Sequence, residues 1–344
     1  MFFESKIFRI WLLTIFGAWL VLFGLYNNVQ FLLEHWYYPA TMVVGAFVAG
    51  STPEGGGAVA FPVLSIFLNI DRVLARDFSM MIQSVGMTSA SIFILTRRHT
   101  DIAVFKPLLW WGPIAFIGFV VGMQTLQDIK VYVIQALFLS LIASFTIVYL
   151  FSSHRGTHGT YRPQHIKDRF ITSAVVFIGG MCSSLFGSGA DILLYTILVT
   201  HFTMKEKIAT EMSVMMMAMM SILGYAYRAF YEGALTQYQV QAWLCAAPVV
   251  LVMAPFGAHI LKKINTEYML RAVVVLNIAQ LAYFNLKNPS LGKFYWSMGA
   301  TLLLSLIFFW GMSELAKRKT KEVLNEPFHL PEDTGHIADW ETEA

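Results

Sequence analysis

The stretch Gly45-Ala46-Phe47-Val48-Ala49-Gly50-Ser51-Thr52-Pro53-Glu54-Gly55-Gly56-Gly57 decides the fold, and the chain continues apolar from Ala58 to Ile70. It joins two apolar runs, residues 39–53 and 57–69, and each run is too short to cross a ~30 Å hydrocarbon core as a helix. Irregular backbone at membrane depth is tolerated only where protein buries it or where it lines a polar cavity. The break therefore predicts a binding site.

The same pattern recurs 134 positions later without a gap. The aligned pairs are Gly45 and Gly179, Gly50 and Ser184, Gly55 and Gly189, Leu64 and Leu198, Ala75 and Ala209, Asp77 and Glu211, Ser79 and Ser213, and Met81 and Met215. This agreement indicates an internal duplication. Paired glycine-interrupted segments in corresponding halves are the best sequence indication of a transporter site.

The composition is that of a polytopic membrane protein. Of 344 residues, 57% are hydrophobic and 13% are charged, and the mean hydropathy is +0.60. This is too little charge to cover a soluble globule. The net charge of +3 is small and its bases lie mostly between apolar segments, so nucleic acid is not a predicted partner. Cys182 and Cys245 lie in apolar segments and imply no disulfide framework.

Apolar length predicts eight full spans and two interrupted segments. The first span, residues 10–26, follows Lys6 and Arg9, lacks a small-x-small cleavage site and is read as a retained helix. The other seven spans are predicted at residues 78–96, 107–125, 131–151, 211–231, 238–261, 268–286 and 294–315. The interrupted segments are residues 39–69 and 170–202.

The distribution of Lys and Arg predicts the path of the interrupted segments. The basic clusters are Arg97-Arg98-His99 with Lys106, the 155–169 loop, Lys205 with Lys207, Lys262-Lys263, and residues 317–321. If both segments are re-entrant hairpins, all these clusters lie on the cytoplasmic side with Lys6 and Arg9, as the positive-inside rule requires. If the segments span, either the Arg97 cluster or both the Lys262 and Lys317 clusters lie outside. The hairpin topology is therefore predicted.

Three full spans separate the hairpins, and an odd number inverts the second copy. The predicted fold is an all-α polytopic membrane protein with two inverted-topology repeats, each a re-entrant hairpin plus three transmembrane helices. The chain forms one transmembrane domain: repeat 1 at residues 39–151, a cytoplasmic linker at 152–169, repeat 2 at 170–286, extra helices at 8–26 and 294–315, and an acidic tail at 322–344. The linker contains His154, His158 and His165; a solvated linker is favoured over a metal or pH sensor, and the tail is predicted to be disordered.

The breaks have the residue types of an anion site. A half-helix begins at each break with free amides and the positive end of its dipole, and glycine lets an anion approach that backbone closely. The predicted substrate-binding residues are Ser51, Thr52, Gly55, Gly56, Gly57, Gln83, Ser183, Ser184, Ser188 and Gly189. The alternative is that the glycines serve only close helix packing, as expected of Gly118 and Gly122.

Two carboxyl groups lie beside the breaks. Asp191 is in the first turn of its half-helix, which favours a structural cap, although it is also a proton-coupling candidate. Glu54 ends the preceding half-helix at membrane depth, where burial and the dipole favour its neutral form, so it is the leading candidate proton carrier. The alternative for Glu54 is a hydrogen bond to loop amides.

Other polar residues have simpler interpretations. Asp77 and Glu211 are predicted to cap the helices that follow the hairpins, and Arg228 with Glu232 to form an i,i+4 pair. The methionines between 212 and 220 cover nearly every face of their helix and indicate packing. No Walker loop, H-E-x-x-H or paired-cysteine motif occurs, so no metal, cofactor or enzyme activity is predicted. Gly187-Ser188-Gly189 with His259 departs from the G-x-S-G spacing of intramembrane serine proteases.

The chain resembles the TauE/SafE sulfite exporter family over roughly residues 40–286. The resemblance rests on Gly45-x4-Gly50-x4-Gly55-Gly56-Gly57-x4-Pro62, on the copy from Gly179 to Gly189, and on the Ala75 and Ala209 helix starts. It implies an anion permease for sulfite or organosulfonates that is driven by an ion gradient or the membrane potential. Asp77-Phe78, Glu211-Met212 and Pro53-Glu54 depart from the usual family pattern, which leaves substrate and direction open.

The predicted function is therefore secondary transport of a small sulfur-containing anion through a cell membrane, with both termini cytoplasmic. A channel-like anion pathway or a non-transporting membrane sensor is the alternative. The partners expected are the anion and the lipid bilayer, and the sequence leaves a homo-oligomer open.

Overall fold

In the computed structural model, residues 5–97, 101–151, 158–161, 163, 166–261, 263 and 266–325 are described. Within these ranges the chain is helical, and its β-structure is a single isolated bridge between His158 and Met204. Among these residues, seven helices are long and apolar enough to cross a membrane. One of the seven, Ile166–Phe186, lies in the second interrupted segment, which was not among the eight full spans predicted from the sequence. The prediction of an all-α polytopic membrane protein is confirmed.

The helices follow one another with short connections. They are α1 Lys6–Tyr26, α2 Val29–Glu34, α3 Tyr37–Ser51, α4 Gly57–Pro62, α5 Arg72–Leu95, α6 Leu108–Thr125, α7 Val131–Phe151, α8 Ile166–Phe186, α9 Ala190–Thr200, α10 Glu206–Ala226, α11 Gln237–Leu261, α12 Thr266–Leu286 and α13 Leu291–Asn325. Helix α4 continues as a π-helical turn, Val63–Phe67, and α10 continues as another, Tyr227–Tyr231. A 3₁₀ turn, Ile102–Phe105, precedes α6.

Both interrupted segments are broken where the glycines predicted it. Helix α3 ends at Ser51 and α4 starts at Gly57, while α8 ends at Phe186 and α9 starts at Ala190. The arms of each segment lie side by side: a β-carbon on Gly45 of α3 would be 3.5 Å from Val59 Cβ of α4, and one on Gly179 would be 2.8 Å from Ala190 Cα. Absence of a side chain at these equivalent positions allows each segment to fold back on itself.

Each folded-back segment packs against a helix from the other half of the chain. A β-carbon on Gly50 of α3 would overlap the Ala254 carbonyl of α11, and one on Gly180 of α8 would overlap the Ala115 carbonyl of α6. Gly118 and Gly122 of α6 also face α8, as predicted for close helix packing. An inverted repeat would produce this reciprocal arrangement, and the inverted relation remains a prediction.

Helices α5 and α10 form the centre, and the terminal helices lie at the edge. Most residues of α5 and α10 are buried, including five of the α10 methionines, as the packing interpretation predicted. Helix α1 is mostly exposed, and Trp19 Nε1 attaches it to α11 by donating to the Leu244 carbonyl at 2.8 Å. Helix α13 packs on α7, where Ser140 and Ser144 donate to carbonyls of α13 at 3.0 Å.

Two predicted helix starts are wrong. Helix α5 begins at Arg72 and is capped by Asp71, whose Oδ1 accepts from the Val73 and Leu74 amides. Helix α10 begins at Glu206. Asp77 and Glu211 therefore lie in the second turns of their helices, where the amides are already bonded within the helix, so neither can be the N-cap.

The linker between the two halves is shorter than the predicted residues 152–169, because α8 already begins at Ile166. His158 is tied to the turn before α10, where its amide donates to the Thr203 carbonyl at 2.9 Å. His154 and His165 lie outside the described residues, as does the acidic tail beyond Asn325; residues 322–325 continue α13.

Candidate functional site

The first break is the turn between Ser51 and Gly57. Gly55 has φ +68°, a conformation that an L side chain rarely adopts. The hydroxyls before it are used locally: Ser51 Oγ donates to the Phe47 carbonyl at 2.7 Å, and Thr52 Oγ1 donates to the Val48 carbonyl at 2.9 Å. They complete the C-terminus of α3, so the predicted ligand donors Ser51 and Thr52 do not point to an open site in this conformation.

The second break is Gly187-Ser188-Gly189, and both glycines have positive φ, +78° and +133°. Asp191 Oδ1 accepts from the Gly189 amide at 2.8 Å, which is the helix-terminal role predicted for this carboxyl. Ser183 Oγ donates to the Gly179 carbonyl at 3.0 Å and accepts from the Ala190 amide at 3.2 Å. Ser184 Oγ donates to the Met181 carbonyl at 2.6 Å.

The two breaks meet inside the protein. A β-carbon on Gly57 would overlap the Ser188 hydroxyl, and a β-carbon on Gly55 would overlap Asp191 Oδ2. All four of these residues are buried. The glycines of the first break thus give space for the side chains of the second, and residues 131 or more positions apart form one polar centre.

Gln83 of α5 connects the breaks. Its Oε1 accepts from the Gly56 amide at 3.0 Å, and its Nε2 donates to the Gly187 carbonyl at 3.0 Å. Nε2 is also 2.9 Å from Ser79 Oγ. Gln83 is buried, so each of these hydrogen bonds replaces one that water would otherwise supply. Gln83, one of the predicted substrate-binding residues, thus connects the two breaks in this structure.

Three polar atoms at the breaks are buried and have no hydrogen-bond partner among the described residues: Ser188 Oγ, Asp191 Oδ2 and Glu54 Oε2. Leaving such a group unpaired costs about 1–3 kcal/mol, so unpaired atoms in one place are expected where a ligand, water or proton is bound. These side-chain atoms can hydrogen-bond to a ligand, whereas the glycines packed beside them have no side chain with which to do so.

Glu54 has one specific partner. Asn277 Nδ2 of α12 donates to Glu54 Oε1 at 2.8 Å, and this bond leaves Oε2 as the free end of the carboxyl group. One turn along α12, Gln280 is buried with neither of its amide atoms paired within the described structure. The alternative prediction for Glu54 is a hydrogen bond to amides of its own loop. In the described structure its carboxyl group instead accepts from the side chain of Asn277.

An arginine cluster lies beside the second break. The Arg76 guanidinium donates to Ser184 O at 3.2 Å and to Gln127 Oε1 at 2.7 Å, and it pairs with Asp77 at 2.8 Å. Arg228 pairs with the other oxygen of Asp77 at 2.7 Å and also with Glu232, as its i,i+4 spacing predicted. Asp77 is therefore the shared counter-ion of two arginines.

Asp77 and Arg228 connect α5 to the end of α10, and a second ion pair connects the same helices at their opposite end. Arg97, just after α5, pairs with Glu211 of α10 at 2.8 Å. Asp77 and Glu211 are equivalent positions of the duplication, and each pairs with an arginine at the far end of the other helix. The N-cap role predicted for these acids is replaced by ion pairs between α5 and α10.

The structure thus brings together Gly55, Gly56, Gly57, Gln83, Ser188, Gly189, Glu54 and Asp191. The hydroxyls of Ser51, Thr52, Ser183 and Ser184 donate to carbonyls of their own helices, and that of Ser183 also accepts from the Ala190 amide across the second break. Sequence reasoning missed Arg76 and Asn277. Polar residues inside membrane segments often belong to functional sites, so the positions of this arginine and this asparagine within apolar segments could have indicated them. Among the described residues, no group of three His, Cys, Asp or Glu side chains could hold a metal ion.

Residues 37–285 match the family described as sulfite exporter TauE/SafE. This match covers most of the chain and includes both breaks. The chain belongs to the TauE/SafE family. Comparisons with curated proteins and with solved structures gave no match.

The TauE/SafE match begins at the first residue of α3 and stops one residue before the end of α12. It contains the two folded-back segments and the helices packed against them, and it leaves out α1, α2 and α13. The resemblance seen in the sequence is confirmed, and it identifies a multi-pass membrane transporter of the anion-exporter type.

Proposed function

We propose that this TauE/SafE protein is a secondary-active permease for a small sulfur-containing anion such as sulfite or an organosulfonate. The observation that carries the proposal is the meeting of the two helix breaks, held by Gln83 between the Gly56 amide and the Gly187 carbonyl. Broken helices that face each other inside a bundle are the usual construction of a transporter site.

The anion binds between the breaks, where the N-termini of α4 and α9 lie and where Ser188 Oγ has no partner in the described part of the chain. In the observed conformation the Gly56 and Gly189 amides are bonded to Gln83 and Asp191, so the anion replaces these side chains as acceptor. Arg76, which reaches the Ser184 carbonyl, contributes positive potential at the second break.

Two carboxyl groups beside an anion site require a proton. Among the described residues, neither Glu54 nor Asp191 forms an ion pair, and each has a buried, unpaired oxygen. Two buried negative charges would repel the anion, whereas a protonated carboxyl becomes a hydrogen-bond donor. Glu54 is therefore the leading coupling group: it takes up a proton when the anion binds and releases it on the other side.

Flux into proteoliposomes tests the proposal and separates it from the alternatives. With labelled sulfite, a permease gives saturable flux that responds to an imposed proton gradient. Non-saturating flux identifies a channel-like pathway, and absence of flux with sulfite, thiosulfate and sulfoacetate identifies a sensor. The buried contact between the breaks favours the permease, because a channel needs a continuous opening there.

The permease is placed in the cell membrane with both termini on the cytoplasmic side, following the positive-inside prediction. Cysteine labelling of Lys263→Cys and Lys293→Cys in intact cells tests the orientation. A cytoplasmic Lys263 is protected from a membrane-impermeant reagent, and Lys293, one span away, reacts.

A further inference from the structure

An apolar cavity of about 390 Å³ lies between α5, α6 and α10, away from the helix breaks. Its walls include Ile92, Leu95, Leu109, Met215 and Ile222. Leu109 and Ile222 are 72% and 45% exposed, so the cavity opens to the surface that faces lipid. It reaches from Leu95 at the end of α5 to Thr88, about 10 Å at 1.5 Å per residue.

A second cavity of about 850 Å³ adjoins the start of α6 and the segment that leads into α8. Its walls carry aromatic and basic side chains, namely Lys106, Trp110, Trp111, Tyr161 and Arg169. The rings of Trp111 and Tyr161 pack edge to face, 4.9 Å apart, while Trp110 is 79% exposed. Exposed Trp beside Lys and Arg is typical of the level of the lipid headgroups.

The two cavities share Lys106 and Leu109. They therefore form one continuous groove with an apolar end and a basic, aromatic end. A free inorganic anion would use only the basic end, and a hydrocarbon only the other. The groove as a whole fits an amphiphile.

Among the described residues, no carboxylate balances the basic end. Neither Lys106 nor Arg169 forms an ion pair with a described residue, and no acid lines either cavity. The nearest acids along the chain are occupied: Asp168 pairs with His201 at 2.9 Å, and Asp101 Oδ1 accepts from the Ala103 amide at 2.9 Å. Two cations without an acidic partner among the described residues attract an anionic headgroup.

We propose that this groove binds an anionic phospholipid. The phosphate lies between Lys106 and Arg169, the glycerol region lies against Trp110, and an acyl chain enters the apolar cavity beside Leu109. The cytoplasmic leaflet supplies the lipid, since both cations belong to clusters on the predicted cytoplasmic side. This site is separate from the helix breaks and does not depend on the transported anion.

Titration of the full-length protein in neutral detergent with phosphatidylglycerol tests the site through tryptophan fluorescence, to which Trp110 and Trp111 of the groove contribute. The wild-type protein is expected to bind phosphatidylglycerol in preference to phosphatidylcholine. The double variant Lys106→Gln/Arg169→Gln is expected to bind it about thirtyfold more weakly, about fivefold for each lost cation. The matched control, Lys205→Gln/Lys263→Gln, removes two exposed cations from the same predicted side and is expected to bind as the wild type does.

Three results would overturn the proposal. Unchanged binding by Lys106→Gln/Arg169→Gln would show that the groove is not the site. Equal losses in both double variants would show attraction to the general surface charge. Equally strong binding of glycerol 3-phosphate would show a phosphate site without an acyl chain. Melting curves in phosphatidylcholine alone check that each variant is folded.

Discussion

Gln83 Oε1 accepts a hydrogen bond from the Gly56 amide at 3.0 Å, which fixes the first helix break to the continuous helix α5. The same side chain donates to Gly187 of the second break. Any displacement of one break relative to the other must therefore break at least one of these bonds. Gln83 therefore ties the geometry of both breaks to any movement that the proposed transport requires.

Gln83→Leu is expected to reduce anion flux strongly and to destabilise the protein. The substitution leaves the Gly56 amide and the Gly187 carbonyl buried without a partner, at a cost of about 1–3 kcal/mol for each group. Proteoliposome flux and the melting temperature measure the two effects.

Ser84→Ala is the matched control for Gln83→Leu. Ser84 is the next residue of α5, and its hydroxyl donates only to the Met81 carbonyl of its own helix, at 2.7 Å. It should retain flux and stability. If Gln83→Leu transports as well as Ser84→Ala does, the two breaks function without this connection.

Glu54→Gln is expected to separate anion binding from proton coupling. The new amide oxygen can still accept from Asn277, so the local structure is retained, but the group can no longer take up and release a proton. Wild-type flux should rise when the proton gradient points in the direction of anion movement, because proton and anion move together. The variant should bind the anion and be insensitive to the gradient.

Glu34→Gln serves as the control for this variant, since Glu34 lies exposed at the end of α2, where its side chain accepts from Gln30 Nε2. Stopped-flow measurement of flux at imposed pH differences compares the two proteins. Full gradient dependence in Glu54→Gln would remove the coupling role from this carboxyl and leave Asp191 to be tested in the same way.

Gly57→Ala tests the contact between the breaks. A β-carbon here would overlap the Ser188 hydroxyl and lie 2.6 Å from Ser188 Cβ, so the breaks must separate at a cost of about 1–3 kcal/mol. Ser188→Gly removes both atoms and should restore the melting temperature in the double variant. The two substitutions are therefore expected to be non-additive.

Gly17→Ala is the control for the Gly57→Ala and Ser188→Gly variants, because a β-carbon on Gly17 of α1 would meet no atom within 4 Å. It should leave the melting temperature nearly unchanged. Strictly additive effects of Gly57→Ala and Ser188→Gly would show that these residues do not touch in the folded protein.

The breaks could be predicted from the sequence because their cause is local. Three consecutive glycines divide an apolar segment into two runs, each too short to span the membrane. The stretch from Gly179 to Gly189 repeats this pattern at a fixed offset. The membrane makes this signal strong, since a broken helix needs a polar or buried environment there. Lys and Arg between the spans then favoured the hairpin topology.

The partners of the buried charges could not be predicted, because they are set by contacts between distant segments. Glu54 and Asn277 are 223 residues apart, and Asp77 and Arg228 are 151 residues apart. The sequence pattern starts the helix at Asp77 and therefore predicts a cap there, whereas the helix begins at Arg72. Asp71, six residues earlier, is the residue that accepts the first amides.

The two ion pairs between α5 and α10 should differ in their importance for stability. Asp77 is completely buried and faces Arg76 and Arg228, whereas the side chains of Arg97 and Glu211 are 14% and 11% exposed. Asp77→Asn leaves two buried guanidinium groups without their shared counter-ion, which is expected to cost about 3–5 kcal/mol. Glu211→Gln leaves one partly solvated arginine, and about 1 kcal/mol is expected.

Thermal unfolding in one detergent compares the two variants, and each change removes one carboxylate with little change of shape. Asp77→Asn should lower the melting temperature several times more than Glu211→Gln does. A larger effect at Glu211 would mean that the Asp77 cluster is solvated in the membrane. The arginines would then face water at the entrance to the second break, where they could contact the anion directly instead of holding α5 to α10.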